Sequence, residues 1–279
     1  MLFGAHVSIA GGLPNAPLNA STIGCEVFQF FTRSPQGGYI AQLNKEIITE
    51  FLKNCKTTKQ KEWYIHTPYF INFASGQGRI RHVSISVIKE ELRRASELKA
   101  KYLMTHLGSY KDLGHDVGLL AVVDGLDEVL KDYKGSTKFL IEISAGAGEI
   151  IGDTFEEIAE IIDHKKLKKY NIGVCYDTQH GFASGYDIRN TDTVAETFTK
   201  FDKIIGLERL KLSHCNDSLT EFNSKKDRHA NIGEGLIGKK GFMALINQPK
   251  LKNINLVLET PTIGVENDLD ILKKMRKNI

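Results

Sequence analysis

Short apolar runs recur along the chain, each followed by polar or glycine-containing residues and then by a stretch with apolar positions three and four residues apart. The runs are LFGAHV (2–7), EVFQFF (26–31), EWYIH (62–66), KYLMTH (101–106), KFLIEI (138–143), IGVCYD (172–177), RLKLSH (209–214) and NLVLE (255–259). They are brief and rich in β-branched or aromatic residues, as strands buried on both faces are. Between them, helical spacing predicts helices at Ile47–Lys59, Val83–Lys99, Val117–Lys131 and Thr154–Ile162. Shorter ones follow at Thr191–Phe201, Lys240–Ile246 and Asp268–Met275, and the faintest pattern lies around Pro14–Ala20. The stretch Asp153-Thr154-x-x-Glu157 has the form of a capped helix start.

Strands that alternate with helices imply a parallel sheet. Eight such units in 279 residues suit a (β/α)8 barrel, which typically takes ~250 residues. The expectation is therefore an α/β fold: one TIM barrel over residues 1–279, with its active site at the C-terminal ends of the strands. An open, doubly wound sheet is the alternative. No GxGxxG or GxxxxGK[ST] follows the first run, which weighs against the nucleotide-binding versions of that fold.

The composition, 41% hydrophobic and 25% charged, is that of an ordinary folded globule and excludes disordered and collagen-like classes. No apolar run approaches the ~20 residues of a membrane helix. The opening MLFGAHVSIAGGL has no basic segment ahead of an apolar one, so an intracellular, non-secreted protein without membrane attachment is expected. Cys25, Cys55, Cys175 and Cys215 form no CxxC pair and read as reduced, partly buried thiols. A formal net charge of +3 permits a polyanionic substrate without requiring one.

Six of the eight runs close on, or within one residue of, a side chain able to bind metal: His66, His106, Glu142, Asp177, His214 and Glu259. By subtraction they stand 35 to 45 residues apart, one strand–helix unit each time. In a barrel the strand C-termini share one face, so these residues would converge. His180 follows three residues after Asp177 in what reads as a loop, and Asp227 and His229 come after the seventh run. A lone histidine is usually structural, but a carboxylate ending a hydrophobic strand is costly unless paired or metal-bound. His6 lies near a strand end as a supporting or structural residue, and His82, His115 and His164 read as surface.

Five imidazoles with four carboxylates and no clustered thiolates suit zinc, with iron or manganese as substitutes. Nine ligands exceed the needs of one ion. His66, His106 and Glu142 make a first group. Glu142, Asp177, His214 and Glu259 make a second that shares Glu142, and His180, Asp227 and His229 complete a third. A site of several metals activates water and stabilises both oxygens of a phosphoester displacement.

The stretches GAHVSIAGGL (4–13), FQFFTRSP (28–35), HTPYFIN (66–72), IEISAGAG (141–148), GVCYDTQHGFASGYDI (173–188), LSHCNDS (212–218), DRHANIGEGLIG (227–238) and LET (258–260) occur together and in order. On them the sequence resembles the endonuclease IV family of apurinic/apyrimidinic (AP) endonucleases over essentially its whole length. The resemblance implies a TIM barrel with three zinc ions held by the groups above, Glu142 bridging. It implies DNA base excision repair: hydrolysis of double-stranded DNA on the 5′ side of an abasic site, giving a 3′-hydroxyl and a 5′-deoxyribose phosphate, with cleaning of blocked 3′ ends. Glu142 and Glu259 would be catalytic, Glu259 orienting or deprotonating the attacking water. Tyr69 matches a residue that inserts into the duplex, and Arg33, Lys225, Lys226 and Arg228 are candidate phosphate contacts, in a protein expected to be monomeric.

Two departures from the family pattern stand out. The loop after the second run, where an Arg and then a Trp are usual, reads Pro35-Gln36-Gly37-Gly38-Tyr39, so a wedge at Gln36 would be shorter and uncharged. Leu107 replaces a usual proline. The nearest rival is a divalent-metal sugar isomerase of the same barrel superfamily, which needs neither a third metal nor the Asp227/His229 loop. A catalytically silent DNA-binding barrel has no reason to keep nine ligands, and a structural zinc protein would favour cysteines.

Overall fold

All eight apolar runs are strands of one closed barrel in the computed structural model, which describes residues 1–38, 40 and 42–277. In chain order the elements begin with β1 (Phe3–His6), α1 (Ala16–Thr22), β2 (Val27–Phe30), α2 (Lys45–Thr57), β3 (Trp63–His66), α3 (Gly78–Glu97) and β4 (Tyr102–Thr105). They continue with α4 (His115–Leu130), β5 (Lys138–Glu142), α5 (Phe155–Asp163), β6 (Gly173–Asp177), α6 (Thr178–Ala183), α7 (Thr191–Ile204) and β7 (Leu210–His214). A two-stranded hairpin, β8 (Asp217–Ser218) with β9 (His229–Ala230), precedes α8 (Gly238–Asn247), β10 (Asn255–Leu258) and α9 (Val265–Lys277). The ring runs from β1 through β7 to β10, and closes by parallel pairing of β10 with β1 at Phe3↔Leu256, Gly4↔Val257 and Ala5↔Leu258. Closure removes the open-sheet alternative. A Cβ on Gly4 would lie 1.8 Å from the Val27 carbonyl oxygen, so only glycine lets β1 approach β2 there.

Strand alternation decides what each residue faces. Val27, Tyr64, Tyr102, Met104, Leu140, Cys175, Leu212 and Val257 form a buried cluster of their own, the barrel interior. Phe28, Phe30, Ile65, Leu103, Ile141, Val174 and Tyr176 belong to the larger apolar layer between strands and helices. Each buried phenylalanine there contributes roughly 1.5–3 kcal/mol by leaving water. Two residues beyond the interior cluster, on the same inward side and toward the strand C-termini, come Gln29, His66, His106, Glu142, Asp177, His214 and Glu259. The period of two thus stacks a polar layer directly on an apolar one.

The predicted helices all form. α3 starts at Gly78 rather than Val83, because its first turn is largely polar and exposed and offers no apolar period. The Pro14–Ala20 pattern resolves into a 3-10 turn, Leu13–Asn15, followed by α1. His180 lies not in a loop but in α6, whose N-cap Asp177 accepts from the His180 backbone N–H at 2.9 Å. The Thr154 side chain caps α5 by accepting from the Glu157 N–H at 3.2 Å. Thr154→Ala is expected to cost about 1 kcal/mol of stability, as cap removal does elsewhere, and urea denaturation would measure it. All four cysteines are buried and free. Among the described residues no helix is long and apolar enough to cross a membrane.

Candidate metal centre

The polar layer at the strand C-termini draws its side chains into three adjoining groups. In the first, His66 Nε2 lies 2.9 Å and His106 Nε2 3.5 Å from Glu142 Oε2. In the second, His214 Nδ1 lies 2.8 Å from the other Glu142 oxygen, Oε1, 3.2 Å from Glu259 Oε2 and 3.8 Å from Asp177 Oδ2. The two oxygens of Glu142 therefore face different groups, which is the arrangement of a bridge. In the third, His180 Nε2 and His229 Nε2 approach Asp227 at 3.4 and 3.3 Å and each other at 3.4 Å. Asp177 Oδ2 stands 4.0 Å from His229 Nε2, so it joins the third group to the second.

His66, Glu142, Asp177, His180 and His214 are buried, while Asp227 is about half exposed on the hairpin. Burial alone would neutralise the Glu142 carboxyl, but His106, His214 and His180 outweigh it and hold its pKa well below the usual carboxylate range. Burial likewise disfavours the charged His214 ring, yet Cys175, Glu142 and Glu259 raise its pKa. His229, opposed by burial and helped by Asp227, rises to about 9. His6 and His106 are lowered, chiefly by burial. The local field thus calls for positive charge.

The donor set fits divalent cations. Within His66/His106/Glu142, within Glu142/Asp177/His214/Glu259 and within Asp177/His180/His229, one nitrogen or oxygen per residue can be chosen so that all lie within 4.8 Å of one another. Among the described residues, Glu142, Asp177, Asp227 and Glu259 form ion pairs only with imidazoles, never with lysine or arginine. Two ring nitrogens of His180 and His229 facing each other and a carboxylate, as here, have a common partner in a cation. Eight of the nine predicted residues are in these groups; the ninth, Asp227, stands beside the third as the ion-pair partner of His180 and His229.

A cavity of about 490 Å³ opens onto them, lined by His66, His106, His180, His229, Asp227 and Glu259, with Tyr69 and Arg228 also on its wall. Tyr69 is 69% exposed and its ring meets Phe31 edge-on. Gln36, Lys226 and Arg228 are exposed, and Tyr39 lies outside the described residues. Arg33 Nε donates to Glu91 Oε1 at 2.6 Å, and Glu91 is fully buried on α3, so the guanidinium is tied to the protein through that nitrogen. Lys225 is partly committed as well, to Asp153 Oδ2 at 2.8 Å. His115, expected at the surface, is half exposed but binds the buried Glu157 at 2.6 Å.

Two further amides hold the centre. Asn216 Nδ2 donates to Asp177 Oδ2 at 2.6 Å, and its Oδ1 accepts from the Glu259 backbone N–H at 2.7 Å. Gln29, completely buried, touches His6, His214 and Glu259. Its sequence signal is its register: it is the one polar residue inside the run VFQF, two positions beyond Val27. His6 Nδ1 lies 3.6 Å from Glu259 Oε1.

The model of the xylose isomerase-like TIM barrel family matches residues 18–277. A protein of Halothermothrix orenii named "Probable endonuclease 4" is 39% identical over 280 residues, all of this chain and all of that one. The crystal structure of endonuclease IV from Thermus thermophilus superposes with a TM-score of 0.89 at 28% identity, covering 100% of both chains. A D-tagatose 3-epimerase-like protein superposes with a TM-score of 0.76 at 21% identity over 100% of this chain and 98% of that one, a likeness of fold alone.

Proposed function

This chain belongs to the endonuclease 4 family of xylose isomerase-like TIM barrels, and from that membership we propose that it is a zinc-dependent AP endonuclease of base excision repair. It hydrolyses the phosphodiester on the 5′ side of an abasic site in double-stranded DNA, leaving a 3′-hydroxyl and a 5′-deoxyribose phosphate, and also clears blocked 3′ ends. It works as a monomer inside the cell, wherever damaged DNA is replicated or repaired. Three zinc ions are its cofactor, with Mn2+ or Fe2+ as substitutes.

The observation that carries this function is the third group. The hairpin β8–β9 brings Asp227 and His229 over His180, beside two groups that already share Glu142. A two-metal sugar isomerase has no use for that addition. A long polyanionic substrate is supported by the surface: of nine large apolar side chains exposed among the described residues, Tyr69 lines the cavity, while Leu219, Phe222, Leu236 and Ile263 stand on the connections after β8, β9 and β10. Such residues suit an enzyme that bends a duplex and turns a nucleotide out of it.

Bound at these groups, divalent ions would supply an acidified water and neutralise charge developing on the phosphoryl and leaving oxygens. The side chains divide the rest. Glu259, which reaches the cavity while bonded to Gln29, orients the attacking water or takes its proton. Glu142, with no solvent exposure, fixes the spacing of two groups through its two oxygens. Tyr69 enters the duplex, Gln36 fills the neighbouring gap, and Arg228, on the cavity wall, and the exposed Lys226 hold phosphates.

The test is incision of a duplex oligonucleotide carrying one tetrahydrofuran abasic analogue, which cannot undergo β-elimination. Zinc-loaded protein is expected to cut on the 5′ side of the analogue, and prior treatment with a strong chelator to abolish cutting. Folded, zinc-loaded protein that leaves the analogue intact would overturn the proposal and direct the search to sugar substrates.

A further inference from the structure

Gln29 has only one amide, yet it contacts three residues of the centre, and the direction of each hydrogen bond follows from its neighbours. Glu259 Oε1 lies 2.6 Å from Gln29 Nε2, and an ionised carboxylate can only accept, so the NH2 end of the amide faces Glu259. The same nitrogen lies 3.0 Å from His6 Nδ1, which must then accept. The amide oxygen is left facing His214 Nε2 at 2.8 Å, and an oxygen there requires that Nε2 carry the hydrogen. A neutral His214 is thereby left with its lone pair on Nδ1, the nitrogen that faces Glu142, Glu259 and Asp177.

We infer that Gln29 is a positioning residue that selects the metal-binding nitrogen of His214 and the approach of Glu259 together. This inference rests on the metal reading of the second group proposed above. The relay runs from the Glu259 carboxylate through the Gln29 amide to the His214 ring, and it is held by the barrel: Gln29 pairs in register with Tyr64 of β3 and His6 of β1. Outer partners of this kind fix ring orientation and tautomer in metal sites, and their loss weakens metal affinity roughly 10–100-fold. Hydrogen-bonding side chains at inward barrel positions are otherwise costly, and here full burial is matched by partners at both ends of the amide.

The experiment titrates zinc into full-length wild type, Gln29→Leu and Gln29→Glu against a chromophoric chelator, and records long-range 1H–15N spectra of the zinc-loaded proteins with labelled histidine. Gln29→Leu is expected to weaken the affinity for at least one zinc by roughly 10–100-fold and to blur the single Nε2–H pattern of His214. Gln29→Glu keeps an acceptor for His214 Nε2–H but sets a second carboxylate against Glu259, so the His214 pattern is expected to persist while zinc affinity falls. Gln29→Leu that binds every zinc as tightly as wild type with an unchanged His214 pattern would overturn the inference. So would loss of that pattern in Gln29→Glu. A wild type that takes up no zinc would instead overturn the underlying metal reading, and this inference with it.

Discussion

Glu142→Gln is expected to give a folded protein that binds less metal and incises abasic DNA roughly 10³-fold more slowly, or worse. The amide has the carboxylate's shape, so packing in the barrel interior is preserved. What changes is that one oxygen becomes an NH2 group. The wild-type Oε2 meets His66 and His106, and Oε1 meets His214 and His180. Whichever way the amide turns, one of these sides receives hydrogens where it had an acceptor, and the negative charge that offsets four imidazoles is gone. Plasma mass spectrometry of the purified protein would give the metal count, circular dichroism the fold, and single-turnover incision the rate. A full metal count with an unchanged rate would remove Glu142 from the mechanism.

Most of the barrel is legible in the sequence because each strand is a short run of buried residues and most runs end in a residue that an apolar core would exclude. His66, Glu142, Asp177, His214 and Glu259 announce themselves by chemistry and by spacing. Gln29 does not, because a neutral amide carries no metal-ligand signature, and only the register two residues beyond Val27 betrays its direction. α6 escapes the pattern because six residues, TQHGFA, are too few to display a helical period. The partner of Arg33 stays hidden for a different reason. A cation in a loop near a DNA groove reads as a phosphate contact, and nothing local reveals a buried partner at Glu91, 58 residues further along. Long-range pairs of this sort belong to the packing and become visible only when α3 is laid against the β2–α2 connection.

Asp217 is the strongest case of a residue whose importance lies in packing, and Asp217→Ala is expected to destabilise the protein by roughly 3–5 kcal/mol. Among the described residues its carboxylate, fully buried, accepts only backbone N–H groups: Ser218 at 2.8 Å and Ile237 at 2.9 Å on Oδ1, Gly233 at 2.8 Å on Oδ2, and Gly238 shared between Oδ1 at 3.3 Å and Oδ2 at 3.2 Å. Truncation strands these donors in the interior, at about 1–3 kcal/mol for each that water cannot reach. Against a total stability of about 5–15 kcal/mol, that is a large fraction. The damage would also be local, because Asp217 pairs with Ala230 and Ser218 with His229, so the hairpin that carries the third group hangs from this carboxylate. Asp217→Ala is therefore expected to weaken metal binding at the His180, Asp227 and His229 group before the others, while Asp217→Asn, which keeps one acceptor, should fall between it and wild type. Urea denaturation and metal counts at low temperature would separate the two effects. An Asp217→Ala protein as stable as wild type and with an unchanged metal count would mean that the hairpin is held by β9 and the loop before α8 on their own.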